Sequence, residues 1–106
     1  MNYSLKNKII IVTGAASGIG RTITETFLSQ GALICGLDRH ALPYNQVNLH
    51  GFELDITDEK SVNHIITTIA EKYGRIDALI NNAGIQIISE IIKFNRGRIN
   101  QTSDVG

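Results

Sequence analysis

The sequence predicts an α/β fold, a parallel sheet whose strands are joined by right-handed helical crossovers. Three observations carry this. Short apolar runs recur at 8–13, 32–38 and 77–81, and such runs read as strands buried on both faces. Between them lie two stretches with helical spacing, Ile19, Ile23 and Phe27 in the first and Val62, Ile65, Ile66, Ile69 and Tyr73 in the second. The elements alternate as strand, helix, strand, loop, strand, helix, strand, with no internal repeat.

Lys8-Ile9-Ile10-Ile11-Val12-Thr13 forms the first expected strand and runs straight into Gly14-Ala15-Ala16-Ser17-Gly18-Ile19-Gly20-Arg21. A helix over 18–30 follows, closed by Gly31, a residue suited to the position just past a helix. The second strand is expected at 32–38. A loop with the only proline, Pro43, covers 39–50, and a short third strand spans 51–54. Thr57 is the expected N-cap of the second helix. Asp58 and Glu59 then fall in its first turn, where the helix dipole favours acids. Gly74 ends this helix, and 77–81 is the fourth strand. Beyond Gly84 the pattern changes: 85–94 are apolar-rich without a clean period and predict a weak helix, while 95–106 are polar and predict disorder.

The chain has 106 residues, enough for one small domain with a core. Its composition, 42% hydrophobic and 19% charged, is that of a globular chain. Ten Lys and Arg balance ten Asp and Glu, so there is no basic field to draw nucleic acid or anionic lipid. No run approaches a membrane span, and residues 1–6 lack the layout of a signal peptide. Cys35 lies in an apolar strand run without an activating base, so it reads as a buried thiol. A single cysteine excludes an internal disulfide and suits a reducing cytoplasm. His40, His50 and His64 lack metal-ligand spacing and read as solvated or capping residues, and no metal site is expected.

The glycine-rich turn is where chemistry concentrates. Strand, glycine turn and helix N-terminus together aim backbone N–H groups and the positive end of a helix dipole at one point, which suits a phosphate. Gly14 lets the chain turn off the strand, Gly18 lets a pyrophosphate approach the backbone, and Gly20 lets the helix pack close to the sheet. The spacing is G-x-x-x-G-x-G, not the commoner G-x-G-x-x-G. A P-loop is excluded by length and by Arg21-Thr22, which stands where Lys-Ser/Thr would be needed. Taken alone, the turn fits either an anion site or a purely structural bend.

Three further segments lie at strand ends. Asp38 closes the second strand, where a carboxylate accepts from both hydroxyls of an adenosine ribose and repels a 2′-phosphate. That charge favours NAD over NADP, although the neighbouring Arg39 is able to pair with such a phosphate. Asp55 and Ile56 close the third strand. Asp55 either accepts from an adenine amino group, with the Ile56 backbone beside the ring, or only assists the helix cap. Asn81-Asn82-Ala83-Gly84 closes the fourth strand, with amides to tie neighbouring strands together and small residues that leave room for a nicotinamide ribose.

In order and spacing these four pieces resemble the short-chain dehydrogenase/reductase family over residues 5–84. The resemblance implies a Rossmann-like, doubly wound sheet in three α/β/α layers and an NAD-dependent oxidoreductase of small alcohols or ketones. It implies that Gly14, Ser17, Gly18, Ile19 and Gly20 contact the phosphates and ribose of the cofactor. Asp38 would hold the adenosine ribose, Asp55 and Ile56 the adenine, and Asn82, Ala83 and Gly84 the nicotinamide ribose.

The family's catalysis needs a Tyr-x-x-x-Lys pair, in which the lysine lowers the phenol pKa for proton relay. Here Tyr3 is followed four residues on by Asn7, Tyr44 by Asn48 and Tyr73 by Asp77, so no catalytic residue is assigned. The chain therefore reads as a dinucleotide-binding unit at 1–84, cut after the fourth strand, with a tail at 85–106 without a clear family match; either the sequence from about Ile91 is frameshifted or prematurely ended, or the chain is a fragment. A non-catalytic NAD-binding module and a product without function are the alternatives. Such a cut leaves Ala78-Leu79-Ile80 as an open apolar edge and predicts self-association.

Overall fold

Strand β1, Ile9–Thr13, is buried along its whole length because it lies inside the sheet. It is followed by α1, Gly18–Ser29, then β2, Leu33–Asp38, β3, Leu49–Glu53, α2, Glu59–Tyr73, β4, Ala78–Asn81, and β5, Gly84–Ile87. The sheet order is β3-β2-β1-β4-β5. A computed structural model describes residues 4–81 and the backbone of 84–87. Strands β1 to β4 are mutually parallel, with Ile11 beside Cys35 on one flank and Leu79 on the other, and β2 continues to β3 with Gly36 beside Gly51.

Successive side chains of a strand point to opposite faces, so each run of apolar residues supplies two cores. Ile9, Ile11, Cys35, Leu37 and Leu79 face α2 and meet Ile66 and Ile69. Ile10, Val12, Ile34 and Ile80 face the other way, where Ile23, Phe27 and Leu28 of α1 cover them. Leu42 completes this second layer. A Cβ at Gly36 or Gly51 would come within about 3.1 Å of the Leu42 methyl, so the paired glycines form a floor on which the loop sits. Burial raises the Cys35 thiol pKa to about 11, with the charge of Lys72 acting in the opposite direction. The opposite end of the sheet is clamped across sequence: the Ile9 N–H donates to Asp77 Oδ2 at 2.8 Å, and Arg75 donates from Nε to the same oxygen at 3.1 Å and from Nη2 to the Asn7 carbonyl at 2.6 Å.

Several expectations are corrected. The N-cap of α2 is Asp58, not Thr57; Asp58 Oδ1 accepts from the N–H of Lys60 and of Ser61. Thr57 is unavailable because its N–H and hydroxyl both donate to Asp55 Oδ1, at 2.9 and 2.6 Å. The third strand begins two residues earlier than its apolar residues suggest, because ladder bonds to β2 start at Leu49. Ile19 is 76% exposed and leaves the apolar face of α1 to Ile23 and Phe27. Residues 85–87, expected to begin a weak helix, join Gly84 in β5, antiparallel to β4. Gly-Ile-Gln-Ile alternates with period two, and an adjacent strand offers the backbone partners that such a segment needs. The flank of β4 expected to be an open edge is therefore paired: Leu79 sits beside Gln86 and Ile80 beside Ile85. The remaining expectations for the tail, 88–106, lie outside the described residues.

Candidate functional site

The parallel order brings the C-terminal ends of β1 to β4 to one side of the sheet. The chain leaves β1 at Gly14, whose φ of 70° is easily reached only without a Cβ. Three consecutive N–H groups then turn back to β2: those of Gly14 and Ala15 donate to the Leu37 carbonyl at 2.7 and 3.4 Å, and that of Ala16 donates to Asp38 Oδ2 at 3.0 Å. A Cβ at Gly20 would overlap the Gly14 carbonyl oxygen, so the first turn of α1 rests directly on the glycine turn. At Gly18 the φ is 59° and a Cβ would point into open space.

Ser17 is the N-cap of α1. Its backbone is extended, its side chain makes no hydrogen bond to the helix end, and the first turn holds no acid. The first N–H groups of a helix have no partner within it, so this end keeps its positive potential. Ile19 places an exposed apolar side chain beside it.

Asp38 is engaged on both oxygens, Oδ2 by Ala16 and Oδ1 by the His40 N–H at 2.9 Å. Each carboxylate oxygen retains a further lone pair for another donor. Arg39 does not turn to Asp38; its Nη2 pairs with Asp55 Oδ1 at 3.1 Å. The Thr57 hydroxyl and N–H, followed by the Arg39 guanidinium, hold the Asp55 carboxyl below its ordinary pKa. All these bonds fall on Oδ1, so the Asp55 carboxylate holds Thr57, the residue before the cap, and Arg39 through one oxygen. Ile56 is half-buried against the α2 core. Gly84 pairs with Asn81 in the β4–β5 ladder. Asn82 and Ala83 lie outside the described residues. The structure thus gathers Gly14, Ser17, Gly18, Ile19, Gly20 and Asp38 around one turn, with Asp55 joined to them through Arg39.

Sequence reasoning missed Tyr44. Its hydroxyl donates to the Ala15 carbonyl at 2.7 Å, and the Arg21 guanidinium lies 4.3 Å from its ring centroid. An aromatic residue in a polar loop gave no local sign of this contact; the available hint was the glycine at 36 and again at 51, which leaves a gap that the loop must fill. Among the described residues no group of three or more His, Cys, Asp or Glu is placed to hold a metal ion. No helix among them is long and apolar enough to cross a membrane.

The family model for short chain dehydrogenase matches residues 8–106, continuing past Gly84. This chain belongs to the short-chain dehydrogenase family. Among curated relatives, sorbitol-6-phosphate 2-dehydrogenase of Klebsiella pneumoniae is 37% identical over 106 aligned positions, covering 94% of this chain and 40% of the relative. Among solved structures, ligand-free aldohexose dehydrogenase of Thermoplasma acidophilum superposes with a TM-score of 0.71 at 35% identity, over 77% of this chain and 31% of that one. A short chain dehydrogenase of Leptospira borgpetersenii with bound NAD+ gives 0.66 at 25% identity, over 73% of this chain and 31% of that one. The chain thus spans well under half the length of these relatives. The family is one of oxidoreductases with a Rossmann-like sheet and a nicotinamide dinucleotide cofactor.

Proposed function

We propose that this short-chain dehydrogenase chain binds NAD, with residues 1–84 as the dinucleotide unit and 85–106 as a tail, and that it supplies the cofactor part of an oxidoreductase acting on a small alcohol or ketone. The observation that carries the reading is the Asp38 carboxylate, fixed by Ala16 and His40 beside an uncapped helix end. The ribose hydroxyls donate to its remaining lone pairs, and its charge repels a 2′-phosphate. Arg39 pairs with Asp55 rather than with Asp38, so in this arrangement it does not neutralise the Asp38 charge.

The residues present fit a dinucleotide. Gly18 leaves open space where a side chain would stand, and Ile19 offers an exposed apolar surface at the same helix end. In this reading Gly14, Ser17, Gly18, Ile19 and Gly20 cradle the phosphates and a ribose. Asp55 Oδ2 and the Ile56 backbone meet the adenine, and Asn82, Ala83 and Gly84 meet the nicotinamide ribose. The bound nicotinamide supplies the hydride chemistry. No tyrosine of the 106 residues begins a Tyr-x-x-x-Lys pair, so proton relay is assigned to none of them. That same observation favours a second reading, an NAD-binding module without catalysis. The buried thiol of Cys35 suits the cytoplasm.

Calorimetric titration of the folded chain with NAD and NADP tests the proposal. NAD should bind more tightly than NADP. Asp38→Ala should weaken NAD about tenfold, as expected for losing hydrogen bonds to a charged acceptor, and should narrow the gap between the two. Tighter binding of NADP by wild type would refute the charge argument, and no heat from either ligand would sink the cofactor reading. Hydride transfer to a carbonyl substrate by this chain alone would overturn the assignment of proton relay elsewhere.

A further inference from the structure

The loop after β2 grips the glycine turn at a single peptide group. The Ala15 carbonyl accepts from the Tyr44 hydroxyl at 2.7 Å, and the N–H of the same peptide, on Ala16, donates to Asp38 Oδ2 at 3.0 Å. One peptide plane is thus held at both ends, by two side chains that leave the same stretch of sequence. Ala15 and Ala16 are buried, so water is poorly placed to replace either bond.

Tyr44 is itself well held. Leu42, two residues earlier, is seated on the floor made by Gly36 and Gly51. Arg21 stacks on the ring at 4.3 Å and pairs with Glu25 at 3.6 Å. Burial raises the phenol above its ordinary pKa, with the Thr24 hydroxyl acting the other way. The hydroxyl therefore keeps its proton at neutral pH and is a donor.

A flip of the Ala15–Ala16 peptide would exchange its two ends. It would turn a carbonyl dipole toward the Asp38 carboxylate, on the side where the proposed ribose lies. It would also add to the negative potential felt by a pyrophosphate on the neighbouring helix end. We propose that Tyr44 is a positioning residue for the dinucleotide: with Asp38 it locks the Ala15–Ala16 peptide in the orientation that keeps the carbonyl turned away from the cofactor. The proposal rests on the cofactor reading above and adds a residue from outside the glycine turn to it.

Tyr44→Phe keeps the ring and its contact with Arg21 and removes only the donor. Site-resolved amide hydrogen exchange on the full chain should show the Ala16 N–H exchanging about fivefold faster in Tyr44→Phe, with the Ile11 and Val12 amides of β1 unchanged. NAD affinity should fall about fivefold, the equivalent of one ordinary hydrogen bond. Binding of adenosine, whose ribose would meet Asp38 but which carries no pyrophosphate to sense the carbonyl, should weaken less than that of NAD. An unchanged Ala16 exchange rate overturns the lock whatever NAD does. Faster exchange with equal NAD affinity overturns the positioning role, as does a parallel loss of NAD and adenosine. A wild-type chain that binds no NAD sinks the cofactor reading instead, and the Ala16 rate still decides the lock.

Discussion

The two helices start at the same side of the sheet, each after a parallel strand, yet their N-termini are finished differently. At α2 the Asp58 carboxylate accepts from two backbone N–H groups, and Glu59 adds a second negative charge to the first turn. At α1 the cap is Ser17, with no side-chain bond to the helix and no acid in the first turn, set between Gly14 and Gly18. A helix end that fills its own donors is a finished piece of structure. One that leaves them open over a bare backbone is prepared for an anion from outside. Both ends have the same dipole, so only the side chains around them separate a cap from a site.

The largest test of this contrast is steric. Gly20→Ala would drive a methyl into the Gly14 carbonyl and should destabilise the chain by about 3 kcal/mol in urea unfolding; an unchanged midpoint would mean that α1 does not rest on the turn. Ser17→Asp should then exchange one kind of helix end for the other. It should stabilise the chain by about 0.5 kcal/mol through the new cap while weakening NAD about tenfold by repulsion, and a variant that gains stability without losing NAD would break the comparison. Asp58→Ala should cost about 1 kcal/mol of stability and leave NAD titrations unchanged.

The smallest expected effect is that of Asp55→Asn, and it depends on pH. Asp55 is held below its ordinary value of 3.8 by Thr57 and Arg39. Its folded-state pKa is lowered, so its contribution is whole above the ordinary value and is lost as pH falls through the lower folded one. Asp55→Asn should therefore reduce the urea midpoint slightly at neutral pH and have no effect in acid well below that range. An equal difference at both pH values would show that the charge is not responsible.

The contrast between the helices was partly legible in the residues. Period and punctuation mark α2 from Val62 to Gly74, and three glycines after an Ile-Ile-Ile-Val run mark the start of α1. The exact cap of α2 was not, because Thr57 and Asp58 are both good caps and the choice is made by Asp55, which takes up the Thr57 hydroxyl first. Ile19 sits at helical spacing from Ile23 and Phe27, yet it is exposed, so spacing alone overstates the apolar face at the first turn of α1. The Tyr44 contact joins residues 29 apart through a loop without periodicity. Strand β5 depends on backbone pairing with β4, a partner that no local pattern names.

The central place of β1 also bears on the order in which the chain is made. Synthesis delivers Ile9-Ile10-Ile11-Val12 before the other strands, and the flank that pairs with β4 stays empty until Ala78 to Ile80 have emerged. The Ile9 N–H must wait equally long for Asp77. Until β4 emerges, then, this β-prone run lacks one neighbour, which is the condition under which nascent chains pair with each other. Slower initiation or a holding chaperone should raise the yield of folded chain more than any change made at the cofactor site.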